Sequence, residues 1–303
     1  MKCNKIVVLG SCNTDLVIKT DHLPKPGETV LGGDFITNQG GKGANQAVSV
    51  SRLGGNVLFI SKVGNDSFGK KTLQSLEQEQ IDTRFCFTTN EAPTGIAMIS
   101  VDKQGENSII VASGANSLLT PEDVERALPE IENADILLMQ METPVPTITY
   151  AAKKAHEAGV KVVLNPAPYP KQPLPEELKK NIDILIPNET EAQGLCGITV
   201  ADEDSAYQAI KAIQNQGIKQ VLITAGASGV YAEIGGTIKC VPTFKANVVD
   251  TTAAGDTFCG ALCVALSEGK DMESAILFAN KAASLCVTRM GAWQSIPKKE
   301  ELN

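Results

Sequence analysis

One carboxylate in the chain stands where phosphoryl-transfer chemistry would need it. Asp256 ends the run AAGD at residues 253–256, which leads into an apolar helical segment. The N-terminus of a helix has unpaired N–H groups and the positive end of the helix dipole, so it is a ready anion site. A carboxylate beside such an anion hole can accept a hydroxyl proton as phosphate arrives. The simpler interpretation is that Asp256 only complements the helix dipole.

A second candidate is the glycine-rich stretch GGKGAN at residues 40–45. It is not a phosphate-binding P-loop, because Ile36 stands where the first glycine belongs and a glycine follows the lysine where Ser or Thr would bind magnesium. It is not a dinucleotide fingerprint either, since Gln46 occupies the last glycine position. Its glycines permit close backbone approach, and its lysine and asparagine suit a polyhydroxylated ligand. A glycine-rich turn that only caps a helix explains the stretch equally well.

Three further positions place polar residues on or just after apolar strands. In PNETEA, Asn188 and Glu191 lie on one helical face and could hold a hydrated magnesium ion near phosphates. By itself, a helix N-cap with acidic first-turn residues explains this pair better. In SCNTD, Asn13 and Asp15 face one side of a strand and could bind sugar hydroxyls, although a half-exposed edge strand looks the same. Glu142 ends another strand and is open to both interpretations.

The elements that must position these residues alternate strand and helix. Short apolar runs such as KIVVLGS, NVLFISKVG, ADILLMQ and KQVLITAG are typical of buried parallel strands. We therefore predict an α/β fold, a doubly wound and mostly parallel sheet with helices on both faces. The stretches at about residues 14–37 and 92–111 do not fit that sheet. We predict that they form a small antiparallel β lid over its carboxyl edge, where such folds bind ligands, inserted in a single domain of residues 1–303.

Composition narrows the partners. The net charge of −8 argues against nucleic acid and anionic membranes as partners. No apolar stretch reaches the roughly 18 residues of a membrane span, and the N-terminal apolar run is too short for a signal peptide. The eight cysteines include no CxxC, so we expect reduced thiols and a cytoplasmic protein. With only two histidines, a histidine-based zinc site or a Ser-His-Asp triad is improbable.

The combination of these stretches resembles the ribokinase group of the PfkB carbohydrate kinase family. GGKGANQA is similar to the first signature of the family, and DTTAAGDTFCGAL is similar to the second. SCNTDL, LPKPGETV, LNPAP, PNETEA and VTRMGA resemble further segments, in the same order along nearly the whole chain. Any one of these is a weak signal, whereas the set in register is specific. The chain departs from the pattern at Ala225, where many relatives have Leu, and at Asn280, where some have His.

The resemblance implies an enzyme, a phosphotransferase with an alcohol acceptor, that transfers the γ-phosphate of ATP to the 5-hydroxyl of D-ribose and gives D-ribose 5-phosphate and ADP. Asp256 would be the catalytic base. The anion hole would be formed by the N–H groups of Ala253, Ala254, Gly255 and Asp256. The sugar would be bound by Asn13, Asp15, Gly41, Lys42, Gly43, Asn45, Glu142 and Asp256. The nucleotide would be bound by Asn188, Thr224, Ala225, Gly226, Ala227, Ser228, Gly229, Gly255 and Asn280.

The resemblance also implies two ions and a second subunit. Glu191 would help to place Mg²⁺, through water. A monovalent cation, K⁺, would be bound at Asp250, Thr252, Cys286, Arg289, Gly291 and Ser295. Hard cations prefer carbonyl and carboxylate oxygens, so the carbonyl and not the thiol of Cys286 would serve. The lid would pair with the lid of a second chain and form a homodimer.

Three other hypotheses compete with this one. A 2-deoxyribose kinase would share the fold and the mechanism; Asp15 favours ribose, because a carboxylate left without its hydroxyl partner is penalised. A nicotinamide-dependent dehydrogenase would need GxGxxG after the first strand, and GSCNTD lacks that pattern. A non-catalytic sugar- or nucleotide-binding regulator is disfavoured by the intact Gly255–Asp256 pair.

Overall fold

The computed structural model describes residues 4–169 and 172–302, in which strands and helices alternate along most of the chain. The strands are β1 Lys5–Leu9, β2 Asn13–Lys19, β3 Phe35–Gly40, β4 Asn56–Gly64, β5 Asp82–Thr89, β6 Gly95–Val101, β7 Asn107–Ala112, β8 Ile136–Met139, β9 Lys161–Leu164, β10 Ile184–Leu185, β11 Gln220–Thr224, β12 Val230–Ile234 and β13 Thr237–Val241. The α-helices are α1 Lys42–Arg52, α2 Ser67–Gln78, α3 Pro121–Arg126, α4 Leu128–Glu132, α5 Val145–Glu157, α6 Glu176–Lys180, α7 Glu189–Cys196, α8 Glu203–Gln214, α9 Ala254–Ser267 and α10 Met272–Cys286. Short 3₁₀ helices lie at Gly114–Leu118, Gly226–Ser228 and Lys299–Leu302.

Nine strands form one large sheet in the order β13-β12-β11-β10-β9-β8-β1-β4-β5. All neighbouring pairs from β11 to β5 are parallel, and β12 and β13 add an antiparallel edge. The central strands are continuous apolar runs because helices cover both faces of the sheet. In β1, for example, only Lys5 is not buried.

Successive side chains of one strand enter two separate hydrophobic cores. Ile6 and Val8 of β1 belong to the core that α1, α9 and α10 cover. Val7 and Leu9 belong to the opposite core, which α5 and α8 cover. Because both faces of the sheet are buried in this way, a ligand can approach only at the ends of the strands.

The winding of the large sheet reverses between β1 and β8. From β1 the sheet continues through β4 to β5 on one side, and from β8 it continues through β9, β10 and β11 on the other. The carboxyl ends of β1 and β8 therefore border the crevice at the switch point, which is the usual ligand site of doubly wound sheets.

The remaining strands form a second, small sheet in the order β3-β2-β6-β7. The two outer pairs are antiparallel, while the central pair β2–β6 is parallel, with Asn13 beside Gly95. The central pair is parallel because β2 and β6 are joined by a long crossover through β4 and β5 and not by a hairpin. The predicted fold class, a mostly parallel α/β sheet covered on both faces with a small additional sheet, is confirmed.

Several elements have no counterpart in the sequence predictions, among them β5, α8 and the β12–β13 hairpin. Gly235 and Gly236 form the turn of that hairpin and have positive φ angles of 62° and 82°. This two-glycine turn between short strands is a hairpin signal that the sequence does carry. None of the helices within residues 4–169 and 172–302 combines the length and the apolar character that crossing a membrane requires.

Candidate active site

Polar side chains follow the carboxyl ends of five adjacent strands of the large sheet. They are Ser11 after β1, Gln140 and Glu142 after β8, Asn165 after β9, Asn188 after β10 and Thr224 at the end of β11. Parallel strands end at the same edge, so these groups line one crevice. The backbones of Asn188 and Thr224 are even joined by an isolated parallel bridge.

Glu142 connects the end of β1 to the start of α1. Its Oε2 atom accepts hydrogen bonds from the Ser11 hydroxyl and from the backbone N–H of Lys42, the latter at 3.0 Å. The bond to Lys42 satisfies one of the N–H groups that the first turn of a helix leaves unpaired. One carboxylate therefore holds the loop of β1 and the N-terminus of α1 together.

Gly41 and Gly43 allow α1 to begin this close to β1. Gly41 has a φ angle of 89°, and a Cβ there would lie 2.8 Å from the backbone nitrogen of Asn13. A Cβ on Gly43 would lie 2.6 Å from the carbonyl carbon of Gly10. The N–H group of Gly43 donates to Ser11 Oγ at 3.3 Å. Both glycines are thus required by the protein's own backbone, and the amide of Gly43 is already bonded.

Asn13 and Asp15 lie on β2 and face the same side. Asn13 is buried, and its Oδ1 accepts a hydrogen bond from Asn116 Nδ2 at 2.8 Å, which leaves its own amide nitrogen as a donor toward a ligand. The side chain of Asn116 also accepts from the N–H group of Cys12 and donates to its carbonyl, so it holds this part of the chain in place. The Asp15 carboxylate lies against Gly40. Burial, and then the negative charge of Glu142, raise the pKa of Asp15 to about 7.

Lys42 lies half-buried among carboxylates. Burial disfavours its charged form, but the negative charges of Asp256, Glu142 and Glu191 outweigh that effect, and the pKa of Lys42 is raised above its ordinary value. Its ammonium group is therefore charged at neutral pH and lies within the electrostatic reach of Asp256. The residues gathered here are called the polar cluster below: Ser11, Asn13, Asp15, Lys42, Asn45 and Glu142.

Asp256 lies in the first turn of α9, facing α1, and is only 7% exposed. Asn45 Nδ2 donates to its Oδ2 at 2.9 Å, and Gln46 Nε2 donates to its Oδ1 at 3.0 Å. Both donors come from α1, so the packing of α1 against α9 sets the position of the carboxylate. Among the described residues, Asn45 Oδ1 is buried without a hydrogen-bond partner. A hydroxyl group of a ligand would satisfy this oxygen.

The N-terminus of α9 is open toward solvent. No side chain caps its first turn, and Ala253 adopts a φ angle of 60° there. The N–H group of Ala254 donates to the carbonyl of Thr251 at 3.2 Å, so this one of the predicted anion-hole groups is in use. Gly255 is exposed, and a Cβ added to it would meet nothing within 4 Å. The open space and the first-turn N–H groups suit a phosphate.

A cavity of about 950 Å³ opens beside this turn. Most of the residues predicted to bind the nucleotide line it, namely Asn188, Thr224, Gly226, Ala227, Gly229, Gly255 and Asn280. Ala225 and Ser228 do not line it; Ala225 is buried and Ser228 is exposed elsewhere. The volume is of the order that a drug-sized ligand occupies, about 300–1,000 Å³.

The loop at residues 243–248 also lines the cavity, although the sequence patterns do not single it out. Asn280 Nδ2 holds the start of this loop through hydrogen bonds to the carbonyls of Val241 (3.2 Å) and Pro242 (3.1 Å). Phe244 and Val248 expose apolar surface to the cavity. Asn280 therefore shapes the cavity wall through its amide, and the loop supplies the apolar part of that wall.

Asn188 and Glu191 form the reciprocal cap of α7. Asn188 Oδ1 accepts from the Glu191 N–H at 2.8 Å, and Glu191 Oε2 accepts from the Asn188 N–H at 2.9 Å. Burial raises the pKa of the Glu191 carboxyl, opposed by the Asn188 N–H and the charge of Lys42. In the part of the chain that the structure describes, no group of three His, Cys, Asp or Glu side chains could bind a metal by itself. A Mg²⁺ ion near Glu191 would need phosphate and water oxygens as well.

Five of the six predicted K⁺ ligands come together where the loop before α9 meets the end of α10 and the loop that follows it. Asp250 Oδ1 accepts from the N–H (2.9 Å) and the hydroxyl (2.6 Å) of Thr252, and its Oδ2 accepts from the N–H of Gly291 (2.8 Å). The Cys286 thiol lies 3.0 Å from the Ser295 hydroxyl and 3.6 Å from the Thr252 carbonyl. The loops thus present carboxylate, carbonyl and hydroxyl oxygens to one another.

Arg289 differs from the other predicted cation ligands. Its guanidinium group pairs with Glu301 in the C-terminal 3₁₀ helix. Its N–H group donates to the carbonyl of Cys286 at 3.1 Å, which continues the end of α10. Only the carbonyl oxygen of Arg289 is therefore suited to a cation.

Four buried amide side chains near the site are absent from the sequence predictions. Gln46, Gln140 and Asn165 form a hydrogen-bonded network next to Asp256, and Asn116 holds the segment around Asn13. Gln140 and Asn165 each follow the last residue of an apolar strand, and this strand-end position is the signal that would have indicated them. Asn116 lies in a 3₁₀ helix after the small sheet, and only its tertiary contacts reveal its place.

Fold and site together define a class of protein. On this doubly wound sheet the first-turn carboxylate of α9 is bound by Asn45 of the polar cluster, and the uncapped start of the same helix borders the open cavity. This arrangement suits the transfer of a phosphoryl group to a polyhydroxylated acceptor, which is the reaction of carbohydrate kinases.

Comparison with known proteins gives the family. The family model described as pfkB family carbohydrate kinase matches residues 4–299. The chain is 48% identical to the ribokinase of Haemophilus influenzae over 98% of this chain and 96% of that protein. It is 34% identical to the deoxyribokinase of Salmonella typhi over 98% of this chain and 97% of that protein. The structure of Arabidopsis thaliana ribokinase complexed with ribose and ATP matches with a TM-score of 0.91 and 37% identity, covering 98% of this chain and 97% of that one. The chain belongs to the PfkB family of carbohydrate kinases, enzymes that use ATP.

Proposed function

We propose that the protein transfers the γ-phosphate of ATP to the 5-hydroxyl of D-ribose and releases D-ribose 5-phosphate and ADP. The observation that carries this proposal is the place of Asp256, whose carboxylate lies at the open first turn of α9 and is bound by Asn45 of the polar cluster. The ribokinase of Haemophilus influenzae and the ribose- and ATP-bound structure from Arabidopsis thaliana support the same activity.

The polar cluster binds the sugar in this proposal. The carboxylates of Asp15 and Glu142 accept bonds from sugar hydroxyls, Asn13 donates through its amide nitrogen, and the unpartnered Asn45 Oδ1 accepts one more hydroxyl. The 5-hydroxyl then lies against Asp256, which takes its proton as the oxygen attacks phosphorus. The N–H groups of the first turn of α9 stabilise the charge on the transferred phosphoryl group.

The cavity holds ATP with its phosphates toward Gly255. The open space in front of Gly255 fits a phosphate oxygen against the backbone, and Lys42, whose charge interacts with that of Asp256, adds a positive charge. The adenine lies between the 243–248 loop and the wall around Asn280. Mg²⁺ would neutralise part of the negative charge of the phosphates. Glu191 suits it through water, because one of its carboxylate oxygens is not used by the α7 cap.

The loops around Asp250 and Ser295 bind a monovalent cation, K⁺. Their oxygen-rich lining fits a hard cation, and the thiol of Cys286 is directed to Ser295 rather than replacing an oxygen ligand. The segment from Asp250 leads directly into α9, and the Thr251 carbonyl accepts from the N–H of Ala254. A cation here would therefore stabilise the backbone that forms the anion hole.

The small sheet acts as the lid, inserted at about residues 14–37 and 92–111 into a single domain of residues 1–303, and it pairs with a second lid in a homodimer. The lid strands carry exposed apolar side chains at Phe35, Met98, Ile109 and Ile110, and β7 is exposed along its whole length. A charge on this face should dissociate the dimer, so Ile110→Lys should sediment as a monomer while Leu277→Lys, on α10, remains a dimer. Monomeric wild-type protein at micromolar concentration would refute this part of the proposal.

The reaction takes place in the cytoplasm. The seven cysteines among the described residues are free thiols. Burial raises the pKa of the Cys12 thiol to about 12 and also raises the pKa of Cys263. Protonated, buried thiols are unreactive and suit a reducing compartment that supplies ATP. Activity recovered in an extracytoplasmic fraction of the source cell would contradict this location.

A kinase for 2-deoxyribose is the second candidate, and the deoxyribokinase of Salmonella typhi is among the relatives. In both cases the fold, Asp256 and the cavity stay the same. The choice depends on the contact to the 2-hydroxyl, which 2-deoxyribose lacks. A buried polar group left without its hydroxyl partner costs about 1–3 kcal/mol, so the polar cluster should discriminate clearly between the two sugars.

The deciding experiment measures ADP release with MgATP and KCl across D-ribose, 2-deoxyribose, D-fructose and adenosine. Ribose-dependent release that falls when a large organic cation replaces K⁺ would support the assignment, including the cation loops. ADP release with 2-deoxyribose alone would change the assigned sugar to 2-deoxyribose and leave the proposed mechanism unchanged. ATP binding without release for any acceptor would refute the kinase and favour a non-catalytic regulator.

A further inference from the structure

The carboxylate of Asp256 is held from behind by a chain of buried amides. Gln46 Nε2 donates both to Asp256 Oδ1 (3.0 Å) and to Asn165 Oδ1 (3.2 Å). Gln46 Oε1 accepts from Gln140 Nε2 at 2.7 Å, and Asn165 Nδ2 donates to the carbonyl of Ile186 at 2.8 Å. Gln46 and Gln140 have no exposed surface, so neither of them can touch a ligand.

The direction of every amide in this network is determined by its two ends. The carbonyl of Ile186 can only accept, so Asn165 must turn its NH₂ group toward it and its oxygen toward Gln46. The carboxylate of Asp256 can also only accept. Gln46 must therefore present its NH₂ group to the Asn165 oxygen and to Asp256 Oδ1. Its own oxygen then faces Gln140, which must donate. The arrangement therefore has one consistent set of donors and acceptors, and an amide turned the other way would face two oxygens toward each other.

Gly10 provides the room for this network. A Cβ on Gly10 would lie 2.0 Å from Gln140 Oε1 and 2.7 Å from the Cα of Gly43. Glycine at the end of β1 is therefore needed by Gln140 and by the start of α1 at once. The network is a built feature of the strand ends and not an accidental contact.

We propose that Gln46, oriented by Gln140 and Asn165, is the positioning residue of Asp256. This inference rests on the proposed role of Asp256 as the base. A carboxylate offers about four acceptor sites. Asn45 and Gln46 occupy one site on each oxygen from the side of α1, which leaves the remaining sites directed toward the substrate. Gln46 thus prevents rotation of the carboxylate away from the hydroxyl it must deprotonate, in a place where small misplacements strongly reduce the rate.

The first test is Gln46→Met, which keeps the length of the side chain and removes its amide. We expect kcat to fall about tenfold or more, because the base loses its orientation. Since Gln46 touches no ligand, the KM values for D-ribose and ATP should stay within about twofold of wild type. The matched control is Gln220→Met on β11. It removes the hydrogen bond of 2.9 Å that the side-chain amide of Gln220 donates to the carbonyl of Glu233, and it should leave kcat unchanged.

The second test is Gln140→Met, which leaves both bonds to Asp256 available and removes only the donor that orients Gln46. We expect a smaller loss of kcat, about threefold, again without a change in KM. If Gln46→Met does not fold, this variant carries the test alone. A kcat equal to that of Gln220→Met in both variants, or a rise in KM without a loss of kcat, would overturn the positioning role.

Asp256→Asn, measured in parallel, separates this inference from the proposed function. An inactive Asp256→Asn with a fully active Gln46→Met would refute the role of Gln46 and keep the base. A fully active Asp256→Asn would instead remove the base and with it the basis of the inference.

Discussion

Gly43 and Gly255 occupy the same position in two neighbouring helices, the second residue of α1 and of α9, but their surroundings differ. A Cβ on Gly43 would lie 2.6 Å from the carbonyl carbon of Gly10 and equally close to the nitrogen of Ser11. A Cβ on Gly255 would meet nothing within 4 Å. The first glycine is required by the protein's own packing, whereas the second faces open space.

The two halves of the site differ in the same way. On the side that we propose for the sugar, half-buried Glu142 bonds to the start of α1, buried Asn13 bonds to Asn116, and the backbone of α1 lies against the end of β1. On the side that we propose for the nucleotide, an open cavity is lined by a helix end without a cap and by a partly exposed loop. The proposed sugar side is therefore held in place by the fold itself, and the proposed nucleotide side leaves room for a larger ligand. Asp256 stands at the boundary and should matter to the reaction rather than to either binding step.

The largest expected effect concerns that boundary. Asp256→Asn keeps the size of the side chain and removes its ability to take a proton, so kcat should fall by about 10²–10⁴. Binding of ATP, measured by calorimetry, should remain close to that of wild type. The melting temperature should fall, because the NH₂ group that replaces one carboxylate oxygen faces the NH₂ group of Asn45 or of Gln46. Turnover at the wild-type rate would show that Asp256 is not the base and that the two halves of the site do not meet at this residue.

The second prediction makes the same change in both halves. Gly43→Ala should destabilise the fold by about 1–3 kcal/mol, because the methyl group overlaps backbone atoms that cannot move freely. Gly255→Ala should not lower stability, since alanine suits a helix better than glycine by about 0.5–1 kcal/mol. It should nevertheless lower kcat/KM for ATP by about tenfold or more, because the methyl group occupies the space of a phosphate.

Denaturant unfolding and initial rates check this pair. Equal losses of stability in the two variants would show that the space before Gly255 is not free. A fully active Gly255→Ala would show that the phosphates bind elsewhere.

The third prediction uses the pKa of Asp15, which burial and Glu142 raise to about 7. Because the folded state holds the proton more tightly than the unfolded chain, Asp15 favours folding at low pH. This contribution is lost as the pH rises through about 7. Asp15→Asn should therefore raise the melting temperature relative to wild type more at pH 8 than at pH 5.

Sugar binding should show the opposite trend with pH. An ionised carboxylate accepts stronger hydrogen bonds from hydroxyl groups than a neutral one, so KM for D-ribose should fall as the pH rises from 6 to 8. In Asp15→Asn the KM should be higher and lose most of this pH dependence, while KM for ATP stays unchanged. An unaltered profile in the variant would mean that Asp15 does not contact the sugar.

The smallest effect is expected in the wall of the cavity. Phe244 is 43% exposed and lines the cavity. An aromatic contact of its ring with the base of the proposed nucleotide would be worth about 0.5–1.5 kcal/mol. Phe244→Ala should raise KM for ATP by about two- to tenfold and leave KM for D-ribose unchanged. A change in the sugar KM alone would contradict the separation of the two halves.

Patterns along the chain predicted most of the framework. The apolar runs of β1, β4, β8 and β11 indicate buried parallel strands, and the ordered set of motifs indicates the family. The antiparallel β12–β13 edge and α8 were missed, although the hairpin turn carries a glycine pair. The parallel pairing of β2 with β6 could not be predicted, because these strands are more than sixty residues apart and their register depends on the closed fold.

Of the site, the sequence by itself determined which residue types are available: a carboxylate at the start of an apolar helix, a lysine among glycines, and polar residues at the ends of strands. Only the tertiary structure decided how they are used. It brings Gln46 and Gln140, 94 residues apart in the chain, to within a hydrogen bond, and it places Asp256 against α1. It also shows that Gly43 serves packing while Gly255 leaves space. The physical reason is that motifs specify local backbone and chemistry, whereas buried hydrogen bonds and close contacts arise only where distant strand ends meet at one edge of the sheet.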